Sequence, residues 1–314
     1  MKVAISELFH TPQVAEVLKN YPVFEPIVLP KSADLRELPQ DVEVFAGLRG
    51  VEKLDLNEYP QLKYIFLQSV GIDYLDLATI EKLGITLTNN NGAYSEPIGE
   101  WIVMNLLNMV KQTQTFMRQQ RDKIWQHNTS VRLLKGKTIL FLGTGTIAQV
   151  AAKLLAPFGA ELVGYNTRGR EVAGFDWVVS PEKLDEAYGR ADFVVAVLPL
   201  TPATRNFLDQ GAFRKMKDGV GIVNISRGPI IDEEALVAAL KSKKVSAAAL
   251  DVFVKEPLGA ESPLWEMDGV YISPHNSFQA DHIQQLNTRT IVKNLEHLAK
   301  GEALENVINF DKGY

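Results

Sequence analysis

Residues 138–159 read TILFLGTGTIAQVAAKLLAPFG. An apolar strand-like run, a glycine-rich turn and an amphipathic helical run follow one another directly, and this order constrains the fold more than anything else in the chain. Gly143, Gly145 and Ala148 stand at the spacing G-x-G-x-x-A. Gly143 allows a tight turn out of the strand. Gly145 leaves the backbone open to a close approach, and Ala148 is small enough for helix to pack on strand. The helix then begins with free N–H groups and the positive end of its dipole facing the turn, which suits a phosphate. Gly143, Thr144, Gly145, Thr146 and Ile147 are therefore read as the pyrophosphate cradle of a dinucleotide. The bare motif is common, so the flanking strand and helix carry the reading rather than the glycines alone.

From this turn onward, further β-branched runs recur at 161–165, 176–179, 192–197, 221–225, 246–253 and 270–273, separated by helical segments. Each is nearly continuous in apolar residues, as expected of parallel strands buried on both faces. The N-terminal part repeats the alternation, with strands at 3–6, 27–29, 42–46, 63–68 and 85–88. A long helix is predicted over 95–120, with Ser95 as its N-cap, and a last helix over 281–298. The pattern predicts an α/β protein of two units, the second near 99–283. A chain of 314 residues suits two domains.

In a dinucleotide site, an acid that binds the ribose 2′-hydroxyl of NAD stands at the end of the next strand, about 20 residues on. That slot holds Asn166, followed by Thr167, Arg168 and Arg170. Asn repels no 2′-phosphate, Thr167 offers a hydroxyl, and the arginines offer charged donors. NADP(H) is thus the preferred cofactor over NAD(H). The plainer alternative is an Asn–ribose contact beside solvated arginines.

The net charge, 33 − 38 = −5, gives no electrostatic footprint for nucleic acid or an anionic membrane. There is no cysteine, hence no disulfide or thiolate chemistry. The scattered histidines show no metal-ligand spacing. The apolar run after Lys2 is too short for a signal peptide core, which predicts a cytoplasmic protein.

Three segments that follow predicted strands carry candidate chemistry: NISRGPIIDEEAL (224–236), ALDVFVKEPL (249–258) and SPHNSF (273–278). They offer Arg227, Glu256 and His275. Arg can hold a carboxylate and polarise a carbonyl oxygen. His can give or take a proton, and Glu can orient the imidazole and favour its charged form. Such a set fits the interconversion of 2-keto and 2-hydroxy acids.

With the Rossmann turn, LPLTPAT (198–204), SRGPIIDEEAL, LDVF-x-x-EPL and the Pro274–His275 pair in this order, the chain resembles the D-isomer-specific 2-hydroxyacid dehydrogenases over nearly its whole length. The resemblance implies a Rossmann domain, 99–283, inserted into a flavodoxin-like substrate domain made of 1–98 and 284–314. It implies Arg227 as the substrate-binding arginine, His275 as acid/base and Glu256 as its partner. It assigns Asp251 to the nicotinamide carboxamide, and Pro199, Thr204 and Ile225 to the cofactor site. Backbone N–H groups of Val70 and Gly71 are implied as donors to the substrate carboxylate. A homodimer joined through the Rossmann domain is implied as well. Two features depart from the common pattern: Asn166 in the acid's place, and Asn276-Ser277-Phe278 where many relatives carry small apolar residues. A redox-sensing binding protein on the same fold, and a dehydrogenase of another substrate class, are the competing readings.

Overall fold

The computed structural model describes residues 1–33, 35 and 38–311, so the last three positions of the expected 284–314 segment lie outside the described residues. The chain divides into two compact units, Met1–Ala93 with Ala280–Tyr314, and Tyr94–Gln279.

The first unit runs β1 (Lys2–Ser6), α1 (Pro12–Asn20), β2 (Glu25–Leu29), β3 (Val44–Ala46), β4 (Tyr64–Phe66), α2 (Leu77–Lys82) and β5 (Thr86–Thr88). The second runs α3 (Ser95–Lys111), α4 (Thr113–Arg121), β6 (Thr138–Leu142), α5 (Thr146–Leu155), β7 (Glu161–Tyr165), β8 (Trp177–Val179), α6 (Leu184–Arg190), β9 (Phe193–Ala196), α7 (Gln210–Lys215), β10 (Val220–Asn224), α8 (Glu233–Lys241), β11 (Val245–Leu250) and β12 (Val270–Ile272). The chain then returns to the first unit as α9 (Ile283–Lys300).

Both sheets are parallel throughout. The first has the order β2-β1-β3-β4-β5, which is the flavodoxin-like order. The second has the order β12-β11-β10-β9-β6-β7-β8, which is the doubly wound Rossmann order with one more strand at the β12 edge. Alternation along β1 sends Val3 and Ile5 to one face, with Val14, Val17, Ile291 and Leu295. It sends Ala4 to the other, with Phe45, Ile65, Ile80 and Leu87. α9 thus covers one face of the first sheet.

The expected long helix is interrupted. Gln112 takes a left-handed conformation, φ 52°, between α3 and α4, and its side chain is held by Asn128 Nδ2 at 2.8 Å and Ser130 O at 3.3 Å. Tyr94, rather than Ser95, is the N-cap of α3. Ser95 Oγ instead donates to Thr146 Oγ1 at 2.9 Å, tying α3 to α5. A Cβ on Gly99 would fall 2.8 Å from Val150 Cγ1, so the two helices meet closely and α3 belongs whole to the second unit. Among the described residues, no helix is long and apolar enough to cross a membrane.

Tyr188 on α6 is 2% exposed, and its hydroxyl has no hydrogen-bond partner among the described residues. Burial pushes its pKa up. A buried unsatisfied hydroxyl costs roughly 1–3 kcal/mol. Tyr188→Phe is therefore expected to stabilise the protein by about 1 kcal/mol; in a thermal melt, a midpoint below the parent's would contradict this.

Candidate active site

In open α/β sheets ligands bind beyond the carboxyl ends of the strands, at the point where strand order reverses. In the second sheet that point lies between β6 and β9. The turn after β6 holds Gly143 at φ 105°, where a Cβ would stand 2.7 Å from Val197 O. Gly145 is the N-cap of α5 and supplies no side-chain cap. A Cβ built on it meets nothing within 4 Å among the described residues. An uncapped N-terminus of a ten-residue helix therefore opens on clear space, which fits a pyrophosphate approaching Gly145, Thr146 and Ile147. Thr144 O accepts from Gln149 Nε2 at 2.9 Å, which braces the turn.

The Asn166 side chain is engaged within its own loop and with the glycine turn. Its Nδ2 donates to Thr144 Oγ1 at 3.2 Å and to Arg170 O at 2.8 Å. Its Oδ1 accepts from Arg168 N at 3.2 Å and Arg170 N at 3.0 Å. Two donors and two lone pairs exhaust a carboxamide. Asn166 thus folds the 166–170 loop and ties it to the glycine turn. Thr167, Arg168 and Arg170 are exposed on that loop, and neither arginine has an ion-pair partner among the described residues.

After β9, the Thr204 hydroxyl donates to Pro199 O at 2.6 Å and accepts from Thr201 N at 2.8 Å. Thr204 therefore closes its own loop, while Pro199 is exposed. Ile225 is buried at the end of β10.

β10, β11 and β12 are neighbours, and their carboxyl ends lead to Arg227, Glu256 and His275 in turn. His275 Nδ1 lies 2.9 Å from Glu256 Oε2, and Phe253 N donates to the other Glu256 oxygen at 3.0 Å. A carboxylate on Nδ1 requires a proton there, so Nε2 is left for chemistry. The His275 side chain is 41% exposed, so that nitrogen is reachable. Phe278 stands edge-on to the imidazole, ring centroids 6.2 Å apart, and edge-on to Tyr94 at 5.7 Å. Arg227 is half-buried and donates from Nη1 to Ser226 O at 2.9 Å. Asn224 shapes this turn: its side chain donates to Arg227 O and accepts from Ser226 N.

Asp251, implied as a contact of the nicotinamide carboxamide, is bonded within the protein. It has no exposed surface. Its carboxylate accepts from Ser273 Oγ, from Asn276 N at 2.8 Å and from Ser277 N at 3.0 Å. Its carbonyl accepts from His275 N at 2.8 Å. Asp251 is thus the anchor of the 273–277 segment, and it helps hold His275 at φ 50°, a left-handed backbone that costs a non-glycine residue roughly 1–2 kcal/mol. Strain held in place by surrounding bonds is common at functional positions.

In the first unit, the loop after β4 carries Val70 and Gly71, both half-buried. Their N–H groups find no acceptor among the described residues. The carbonyls of Gln68, Ser69 and Val70 all accept bonds from Asn89 or Asn90. Sequence reasoning overlooked these asparagines and Asn224. The available signal was a short amide at the end of a buried strand, a type that folds back onto nearby backbone.

The family model for the NAD binding domain of D-isomer specific 2-hydroxyacid dehydrogenases matches residues 103–277. The chain belongs to the D-isomer specific 2-hydroxyacid dehydrogenase family. A glyoxylate reductase of Thermofilum pendens is 32% identical over 234 residues, 73% of this chain and 69% of the relative. A D-isomer specific 2-hydroxyacid dehydrogenase from Xanthobacter autotrophicus, solved with NADPH and MES, superposes with TM-score 0.84 at 26% identity, covering 100% of this chain and 99% of that one. The NADPH-dependent glyoxylate/hydroxypyruvate reductase of Sinorhizobium meliloti, solved with NADP and sulfate, gives TM-score 0.83 at 26% identity, covering 100% and 99%. The matches to three other curated relatives span 62%, 34% and 37% of those relatives' length.

Proposed function

We propose that the chain is an NADP(H)-linked reductase of small 2-keto acids that also runs in reverse as a D-2-hydroxyacid dehydrogenase. The observation that carries this is the 2.9 Å His275–Glu256 pair at a strand end next to the one bearing Arg227. When bound, the nicotinamide supplies the hydride for C2 of the keto acid. Arg227 draws electron density from the C2 oxygen and stabilises charge that develops there. His275 delivers the proton to that oxygen from Nε2, while Glu256 holds the imidazole in register. Val70 and Gly71 take the substrate carboxylate on their N–H groups, and the first unit is the substrate domain. The relatives that reduce glyoxylate or hydroxypyruvate support a short substrate.

The second unit holds the cofactor, with Gly145, Thr146 and Ile147 at the pyrophosphate and Arg168 with Arg170 at the 2′-phosphate. The NADP(H) complexes of two related structures support this preference. Replacing both arginines by Ala should weaken NADPH about tenfold or more, about 1.4 kcal/mol, and leave NADH nearly unchanged. Fluorescence titration with each nucleotide measures this, and equal losses for both nucleotides would return the arginines to the solvated surface. A homodimer through the second unit is supported by Met104, Phe116, Met117, Ile124 and the 98% exposed Trp125, all apolar and open.

The deciding assay is NADPH oxidation with glyoxylate, hydroxypyruvate and branched 2-keto acids. Turnover with any of them supports a reductase. Tight NADPH binding with no turnover would instead support the redox-sensor reading.

A further inference from the structure

Asn90 is fully buried, and its side chain joins two places that are far apart in sequence. From the end of β5 its Nδ2 donates to Gln68 O at 3.2 Å and to Leu286 O at 2.7 Å, and its Oδ1 accepts from Thr290 N at 3.3 Å. Leu286 O and Thr290 N are one helical turn apart on α9, the acceptor and donor of a single i→i−4 step. One amide therefore clasps a turn of α9 and the start of the 68–71 loop together. The backbone N–H of Asn90 donates to Ser69 O at 2.9 Å, and Asn89 Nδ2 donates to Val70 O at 2.8 Å. Three successive carbonyls are thus drawn to one side.

We propose that Asn90 is a positioning residue for the carboxylate-binding loop, and that it makes the geometry of that loop depend on α9. This rests on the reading that Val70 and Gly71 bind the substrate carboxylate. The reason is geometric. A peptide plane fixes its N–H opposite its C=O. Holding the Ser69 and Val70 carbonyls therefore fixes the direction of the Val70 and Gly71 N–H groups. Losing the side chain at position 90 frees the Gln68 carbonyl and unties the start of the loop from α9. The Ser69 and Val70 planes, still bonded to Asn90 N and to Asn89, then lose the fixed base they follow from. An anion bound by two N–H groups needs both aimed before it arrives. Choosing Asn rather than Ser or Asp follows from the partners. The clasp needs two donors for two carbonyls and one acceptor for a helix N–H, and only a carboxamide of this length offers both.

The test uses three variants of the full chain. Asn90→Ala removes the clasp. Asn90→Asp keeps the shape and the acceptor for Thr290 N but removes both donors. Asn294→Ala is the control, because Asn294 is equally buried in the same unit and bonds Thr88 Oγ1, Glu305 O and Glu305 N without touching the 68–71 loop. Amide hydrogen exchange by mass spectrometry should rise at 69–72 and at 286–291 together in both Asn90 variants, and in neither segment selectively in Asn294→Ala. In steady-state reduction of glyoxylate or hydroxypyruvate, KM should rise about tenfold or more in the Asn90 variants, with the NADPH dissociation constant unchanged. Asn294→Ala should lower the melting temperature without that rise in KM. Unaltered exchange at 69–72 in both Asn90 variants, or an equal KM rise in the control, overturns the proposal. If the parent turns over no 2-keto acid, the proposed activity fails, and the exchange result still decides whether Asn90 couples the loop to α9.

Discussion

The His275→Ala protein is expected to bind NADPH as the parent does and to reduce 2-keto acids about 10²- to 10⁴-fold more slowly. Nδ1 is committed to Glu256, so Nε2 is the nitrogen that can hand a proton to the new alkoxide. Removing the ring leaves water as the donor. The loss should fall mainly on kcat, because a proton delivered at the C2 oxygen matters most once charge develops there. The fold should survive. The backbone N–H of residue 275 bonds Asp251 O and Ser273 O, and Asp251 holds the next two N–H groups, none of which needs the imidazole. A second variant separates chemistry from backbone strain. His275→Gly also lacks the ring but adopts φ 50° freely, so it should melt no lower than His275→Ala and be just as inactive. A kcat close to the parent's in either variant removes His275 from the chemistry.

The reading of the sequence succeeded where a local pattern dictates backbone. The strand–turn–helix at 138–155 was legible because Gly143 and Gly145 are used for space and Ala148 for close packing. Both parallel sheets were legible because strands buried on two faces are apolar throughout. The break at Gln112 was not, because the helical period continues across it and the stop is made by Asn128 and Ser130 further along the chain. Asn166 shows the limit from the other side. Its position at the end of β7 was predicted, but its side chain turns into its own loop, a choice that depends on Arg168, Arg170 and Thr144 arriving together. Asp251 is similar. Its place after β11 follows from the pattern, whereas its burial under Ser273, Asn276 and Ser277 depends on β12 lying alongside. Positions at strand ends were readable, and the direction in which a short polar side chain folds back was not. Sequence spacing carries the first, and long-range contacts decide the second.

Gly228→Ala is expected to cost about 3 kcal/mol or more, beyond the usual range of about 1–3 kcal/mol for overpacking, and to reduce turnover in whatever protein still folds. A Cβ on Gly228 would lie 1.9 Å from Phe253 C, 2.0 Å from Phe253 O and 2.3 Å from Val254 N. These are backbone atoms, so no rotamer change relieves the clash. The displaced peptide is itself engaged. Phe253 N donates to Glu256 Oε1, and Val254 N donates to Glu233 Oε2 at the start of α8. Pushing 253–254 outward therefore moves Glu256, and with it the orientation of His275. The same methyl group sits next to Arg227, on the turn that Asn224 braces. Gly219→Ala is the comparison: Gly219 has φ 79° but no atom within 4 Å of a built Cβ, so it should lose only the left-handed penalty of roughly 1–2 kcal/mol. Thermal melts rank the two variants, and kcat measured on the folded fraction reads the displacement of Glu256. If Gly228→Ala were as stable and as active as Gly219→Ala, the close approach of Gly228 to Phe253 would not be what sets the strand ends bearing Arg227 and Glu256 in place.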